Sequence, residues 1–364
     1  MQTGRIGKVP GMERGAIILE DGQEVAASLP VIVSASRRTD IPAFYSDWFF
    51  DRLEKGYSAW INPFNGRKSY ISYRNTKFIV FWSKDPRPLL RHLDSLAARG
   101  IGCYIQFTLN DYENDGLERN APPLAQRIGT FRALADRLGK GSVIWRFDPL
   151  LLTENISIGT LLERLRNIGS QIHEYAEKLV FSFADILSYA RVRANLERSR
   201  IPYRDWTLAQ MREFAAMLVE LNRREGWNLE LATCGERADL EGIVHNRCVD
   251  DKLILRLSKS PEVWRFLGAE PCPGSDLFDM LPAGAIECGQ GRLALIRKDN
   301  RDPGQRKECG CVRSKDIGQY GTCPHLCAYC YANAGSESVR RNHALHKASP
   351  SGDLIAGPTP PHLA

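Results

Sequence analysis

Between residues 31 and 233, short runs of β-branched and aromatic residues recur at intervals long enough to hold a helix. Seven stand out: VIVSAS (31–36), SAWI (58–61), FIVFW (78–82), GCYIQFT (102–108), SVIWRF (142–147), KLVFSF (178–183) and NLELAT (228–233). Amphipathic stretches lie between most of them. Two begin at Pro42 and Pro86, the latter running to Gly100. PPLAQRIGTFRALADRLG (122–139) opens on proline and closes on glycine, the punctuation of a helix. TLAQMREFAAMLVELNRREG (207–226) keeps its apolar residues at helical spacing. Strands alternating with helices predict parallel strands joined by crossovers, hence the α/β class. Unbroken apolar runs such as Phe78–Trp82 suit a sheet covered on both faces. No Gly-x-Gly-x-x-Gly turn follows the first run, which removes the main support for a dinucleotide-binding doubly wound sheet. The reading is a (β/α)8 TIM-type barrel over residues 31–259, incomplete or irregular at an eighth strand placed at Gly242–Asn246.

Composition narrows the setting. Lys and Arg number 49 against 43 Asp and Glu, and the excess of +6 is spread along the chain rather than concentrated as in a nucleic-acid binder. No apolar run approaches the ~20 residues that span a bilayer, and MQTGRIGKVPGMERG lacks the apolar core of a signal peptide. A cytoplasmic protein with no membrane partner is expected, and nucleic acid is not expected as a partner. Residues 1–30 form an extension with a hairpin about Asp21-Gly22. Pro261, Pro271, Pro273 and Pro282 make 260–307 an irregular insert, 308–335 is cysteine-rich, and the polar, proline-rich 336–364 is expected to be a disordered tail.

A barrel carries its chemistry at the C-terminal ends of its strands. Read there, the sequence offers Arg37, Arg38 and Asp40 after the first run and Asn62 after the second. Lys84, Gln106 and Thr108 follow, then Arg146 and Asp148, Ser182 and Asp185, and Thr233, Cys234 and Glu236. Any one of these residues suits a helix cap or a structural ion pair, Thr39 and Asp40 ahead of Pro42 most of all. Taken together, the cations Arg37, Arg38, Lys84 and Arg146 suit an anionic or carboxylate-bearing ligand.

Ten cysteines are present, and five of them fall between Cys309 and Cys330, where even scatter would put fewer than one. A chain without an export signal keeps its thiols reduced, so clustered thiols there hold metal or do redox chemistry. Cys323, Cys327 and Cys330 form C-x3-C-x2-C with Tyr329 before the last cysteine. Three thiolates on one short loop can bind three irons of a 4Fe-4S cubane and leave the fourth without a protein ligand. A zinc site built from Cys327, Cys330, Cys309 and Cys311 is the alternative. Cys234, Cys248, Cys309 and Cys311 make a second all-thiolate set, able to hold a second iron–sulfur cluster if the C-terminal loop folds across the strand ends. Without that loop, Cys234 and Cys248 are small core residues, as Cys103 is expected to be.

The C-x3-C-x2-C spacing resembles the cluster motif of radical S-adenosylmethionine enzymes. SASRRTDIPAFY (34–45), NPFN (62–65), FWSKDP (81–86), IQFTLNDY (105–112), VIWRFDP (143–149) and the CGCVRSKDIGQYGTC segment (309–323) resemble the microbial family catalogued as domain of unknown function 1848. That resemblance implies a radical S-adenosylmethionine-like protein whose three-cysteine motif stands at the C-terminus rather than after the first barrel strand. It implies a 4Fe-4S cluster whose open iron chelates the amino and carboxylate groups of S-adenosylmethionine, a small-molecule substrate, and an electron donor such as a ferredoxin or flavodoxin. Arg37, Arg38 and Arg146 would then neutralise the cofactor's carboxylate, with Asp40, Asp148 or Glu236 receiving its ammonium. Lys315, in the approach to the motif, is expected outside the barrel. The other readings are a non-catalytic iron–sulfur redox carrier or sensor, and a DNA-repair lyase resembling spore photoproduct lyase.

Overall fold

The computed structural model describes residues 12–62, 65–272, 284–288 and 292–357. Eight strands make one parallel sheet: β1 (Ile32–Ala35), β2 (Phe78–Ser83), β3 (Gly102–Thr108), β4 (Val143–Leu150), β5 (Lys178–Phe183), β6 (Glu230–Thr233), β7 (Val244–His245) and β8 (Lys315–Asp316). Their order is β7-β6-β5-β4-β3-β2-β1-β8, so neighbours in sequence are neighbours in space except at β8. Crossovers carry helices α1 (Ser46–Lys55), α2 (Leu93–Ala98), α3 (Leu124–Leu138), α4 (Ile158–Ile172), α5 (Ala190–Arg198) and α6 (Leu208–Arg224). Three of them begin or end on a clear sequence signal. Ser157 caps α4, Thr207 and Gln210 make a capping box on α6, and Gly139 closes α3.

Alternation along the strands sorts two apolar layers. Val33, Ile79, Phe81, Ile105, Phe107, Trp145 and Leu179 pack with the helices. Ile32, Phe78, Val80, Tyr104, Ile144 and Val180 face the other way, against Val249 and the short helices α7 (Asp251–Leu257) and α8 (Pro261–Leu267). The sheet is therefore buried on both faces, as its apolar runs require.

Five expectations are corrected. The run at 58–61 does not join the parallel sheet: Tyr57–Ile61 pairs antiparallel with Lys68–Ser72 in a separate four-stranded sheet. The reason is length. The few residues from Asn62 to Arg67 suffice for a hairpin, whereas a parallel return needs a crossover of a dozen or more. The eighth place in the parallel sheet goes instead to β8, beside β1, which also puts Lys315 in the sheet. The hairpin at Arg14–Ile18 and Glu24–Ser28 is tied in through Lys68–Ser72 rather than standing apart as an extension. The segment after Gly335 is not disordered throughout, since Ser336–Ala348 forms helix α9. That helix buries Val339, Asn342 and His346, and His346 meets the Tyr45 ring edge-on at 4.7 Å. The insert is partly ordered too, with Ala269–Pro271, Leu293–Ile296 and Ile286–Glu287 in a small antiparallel sheet; Pro273 and Pro282 lie outside the described residues.

Gly169 tests the packing of the helical layer. In an exposed helix, glycine to alanine gains about 1 kcal/mol. Here a Cβ would stand 2.3 Å from Cη2 of Trp227, just ahead of β6. Gly169→Ala should therefore lower stability, by about 1–3 kcal/mol, as read by urea denaturation; a gain would refute this packing.

Candidate functional site

The cysteine loop 323–330 crosses the C-terminal ends of β1, β2 and β3. Tyr331 Oη donates to the carbonyl of Arg37, just after β1, at 2.5 Å. His325 Nε2 meets Asp40 Oδ2 at 2.8 Å, and both side chains are buried. Tyr329 Oη accepts from Lys84 Nζ at 2.9 Å, after β2, and from Asn110 Nδ2 at 3.2 Å, after β3. Asn120 Nδ2 donates to the carbonyl of Pro324 and Ala328 N–H to that of Leu117. On the far side, Asn195 Nδ2 donates to the carbonyls of Cys330 and Asn333, both at 2.9 Å, and Asn333 Nδ2 to that of Cys323. The loop is thus held from both flanks by side-chain and backbone bonds, and Cys330 Sγ accepts from Ala332 N–H at 3.3 Å.

Asp40 is the anchor. It caps the short helix Ile41–Phe44 by accepting from Ala43 N–H, and it also accepts from Ser83 Oγ and Lys84 N–H. Burial alone would raise its carboxyl, but His325, Lys84 N–H and Ser83 outweigh that and hold it below its ordinary value. Beside it lies a buried charge group. Lys84 Nζ is 2.7 Å from Glu118 Oε1, Arg127 is 3.6 Å from Glu118 Oε2, and Tyr329 Oη donates to the same carboxylate. Burial pushes Lys84 down, yet Glu118 and the neighbouring Cys327 hold it above its ordinary value. Burial raises all three motif thiols, Cys327 to about 12. Burial of this kind favours the protonated thiol, and a bound metal would displace the proton.

The other thiol set is also assembled. Cys234 Sγ lies 3.1 Å from Cys248 Sγ, and the Cys311 thiol is within hydrogen-bonding reach of both Cys248 and Cys309. Arg146 Nη1 donates to Cys248 Sγ at 3.2 Å and to Gln106 Oε1 at 3.0 Å, while Gln106 Nε2 holds the Cys248 carbonyl. Arg37 and Arg146 flank the Trp82 ring at 4.9 and 5.4 Å. Among the described residues, no group of three or more His, Cys, Asp or Glu side chains is arranged around a single metal position.

The candidate residues therefore divide. Asp40 and Lys84 stand with the three-cysteine loop; Arg37, Gln106, Arg146 and Asp148 stand with the four-cysteine group. Arg146 is not a spare cation: Nε and Nη2 both bind Asp148 Oδ2, at 3.1 and 2.5 Å. Asp148 is in turn held by Arg146 and Ser182, and Asp40 by its four donors, so neither carboxylate awaits an ammonium group. Glu236 turns back to the N–H groups of Arg237 and Ala238. Arg38 lies over Trp60 and Tyr320, 3.6 Å from Asp316. Cys309 and Cys311 meet Cys248, not Cys327 and Cys330, which takes away the mixed zinc set. Cys103 packs against the helix-side core and burial raises its thiol to about 12, as a core residue requires.

His325, Glu118 and Asn110 are the working residues not singled out from sequence, and Tyr329 was named only as part of the motif. His325 and Tyr329 carried a signal, since both lie inside the motif. Glu118 and Asn110 carried none, because their loop between β3 and α3 has no pattern that points inward.

These features define an α/β protein with a parallel sheet whose strand ends are covered by a partly buried cysteine loop. The family model described as Domain of unknown function (DUF1848) matches residues 32–332, and the chain belongs to that family. No curated protein and no solved structure was found to match it. No helix among the described residues is long and apolar enough to cross a membrane.

Glu118→Gln leaves Lys84 and Arg127 buried opposite a neutral side chain, and should cost about 3–5 kcal/mol in chemical denaturation. The lowered Glu118 carboxyl, at about 2, sets the pH dependence. Its contribution is complete above the unfolded carboxyl value of ~4.3 and is lost as pH falls through about 2. The difference between wild type and variant should shrink across that window.

Proposed function

We propose that this chain is an iron–sulfur protein with radical S-adenosylmethionine-like chemistry, its 4Fe-4S cluster held by Cys323, Cys327 and Cys330. The observation that supports it most is the placement of three partly buried cysteines on one loop across parallel strand ends. Among the described residues no hydrogen bond joins these three thiols to one another; they sense each other only as charges. Donors standing apart suit separate irons of one core. We read the sheet as a (β/α)8-type barrel, with β7 and β8 meeting at its seam and the loop over its mouth.

The chain's own residues fit such a centre. Lys84 places a cation beside Cys327, where an all-thiolate centre accumulates negative charge. Glu118 and Tyr329 fix that ammonium, and His325 on Asp40 fixes the loop. Arg191 donates to the Tyr331 carbonyl and lies near Cys330, and Arg38 Nη1 is buried without a hydrogen-bond partner. Of these, Arg38 is already paired with Asp316 at 3.6 Å, which makes Arg191, beside Cys330, the cation offered to a carboxylate. A cluster with S-adenosylmethionine on its open iron would supply one-electron cleavage of the sulfonium and a 5′-deoxyadenosyl radical. The protein would orient a small-molecule substrate and exclude water, and take its electron from a ferredoxin or flavodoxin in a reducing, cytoplasmic setting.

Anaerobic reconstitution should give about four irons and four sulfides per chain, absent from the variant Cys323→Ala, Cys327→Ala, Cys330→Ala. S-adenosylmethionine should perturb the electron paramagnetic resonance of the reduced protein, and dithionite should then yield 5′-deoxyadenosine. Unchanged iron and sulfide in the triple variant would sink the cluster assignment. A cluster whose spectrum ignores the cofactor would leave a redox carrier or sensor instead.

A further inference from the structure

We propose that Cys234, Cys248, Cys309 and Cys311 bind one divalent metal ion of the zinc class in tetrahedral all-thiolate coordination, clasping the two edge strands of the sheet. This inference does not rest on the three-cysteine reading. The four thiols come from three separate stretches of chain: Cys234 directly after β6, Cys248 just past β7, and Cys309 and Cys311 ahead of β8. Their convergence joins the sheet's edges, where Val312 N–H also donates to the carbonyl of Val249 at 2.9 Å.

Spacing decides between one ion and a second iron–sulfur cluster. Two thiolates bonded to one tetrahedral zinc at ~2.3 Å stand about 3.8 Å apart. In a cubane each thiolate binds a different iron, so the sulfurs stand much farther apart. Cys234 and Cys248 are 3.1 Å apart, and Cys311 touches both Cys248 and Cys309. As they stand the four sulfurs do not surround one position; to admit one ion Cys234 and Cys248 need to part by less than about 1 Å, and the other two side chains need to turn toward them. Admitting a cubane would need the three backbone segments to separate, against the Val312–Val249 bond and the Gln106 hold on Cys248.

The surroundings are those of a thiolate centre. Cys248 Sγ accepts from Arg146 Nη1 and from Asn246 Nδ2, both at 3.2 Å, and Cys311 Sγ from Val249 N–H at 3.3 Å. Such N–H···S bonds orient the ligands and spread their charge. Four thiolates around a divalent ion carry a net double negative charge, and two buried guanidiniums face them. Arg146 is one. Arg37 is the other, near Cys311, Cys248 and Cys309, with its Nη2 buried and lacking any hydrogen-bond partner.

The test uses the full chain carrying Cys323→Ala, Cys327→Ala and Cys330→Ala, expressed with zinc or with cobalt. Elemental analysis should find about one ion per chain, and the cobalt form should show the ligand-field and thiolate-to-metal absorption of a tetrahedral tetrathiolate. Adding Cys248→Ser or Cys311→Ser should abolish both and lower the Tm. Should the triple variant fail to fold, the same single substitutions in the wild-type background should remove the zinc and leave the reduced three-cysteine signal in place. Four titratable thiols with no bound metal, or a Cys234–Cys248 disulfide found by mass spectrometry, would overturn the proposal. So would iron and sulfide in the triple variant that disappear with Cys248→Ser.

Discussion

The buried contact between Asp40 and His325 is the point on which the arrangement turns. Asp40 already terminates β1, caps the helix that follows, and receives Ser83 and Lys84 from the end of β2. His325 adds to it a loop from the far end of the chain, at 2.8 Å in a site closed to water. A carboxylate so buried costs free energy unless its lone pairs are filled, and here its four donors come from three separate segments. Removing any one leaves the others bonded to a buried charge. The same group that starts the first crossover therefore sets where the cysteine loop can lie.

Charge is partitioned behind that contact. The three-cysteine loop has an ammonium beside it, Lys84, held in a closed group with Glu118, Arg127 and Tyr329. The four-cysteine group has guanidiniums, Arg37 and Arg146, with Trp82 between them. The difference is functional in kind. A guanidinium presents several fixed N–H donors and can hold a sulfur and a carboxylate at once, as Arg146 does with Cys248 and Asp148. An ammonium is a compact point charge that balances without dictating orientation. The two thiol groups also differ in how closely their sulfurs approach one another, so each set of surroundings matches a different use of the same ligand chemistry.

Strand–helix alternation, read from apolar runs and from proline and glycine punctuation, was enough to locate β1 to β6 and four of the six helices between them, α4 and α5 having gone unread. These are local signals, and each crossover obeyed them. The C-x3-C-x2-C loop was equally legible because its ligands lie within eight residues. The misplaced run at 58–61 shows the limit. Its residues suit a strand, and only the shortness of the connection to Lys68–Ser72, itself overlooked, decides that its partner is antiparallel.

What the sequence alone determined is therefore the α/β class, the crossovers, the cysteine loop and the list of polar strand ends. What only the tertiary structure decided is which of those ends meet. β8 is two residues long and takes its place from Asp316, which accepts from Ser34 and Ser36, and nothing in Lys315-Asp316 itself announces a strand. Glu118 becomes a buried counter-ion because Lys84, Arg127 and Tyr329 arrive from three other segments. Arg146 looked like a ligand clamp and is instead saturated by Asp148, Gln106 and Cys248. The reason is general: backbone preference and apolar periodicity act over a few residues, while a buried charge is defined by whatever the fold brings within about 4 Å of it.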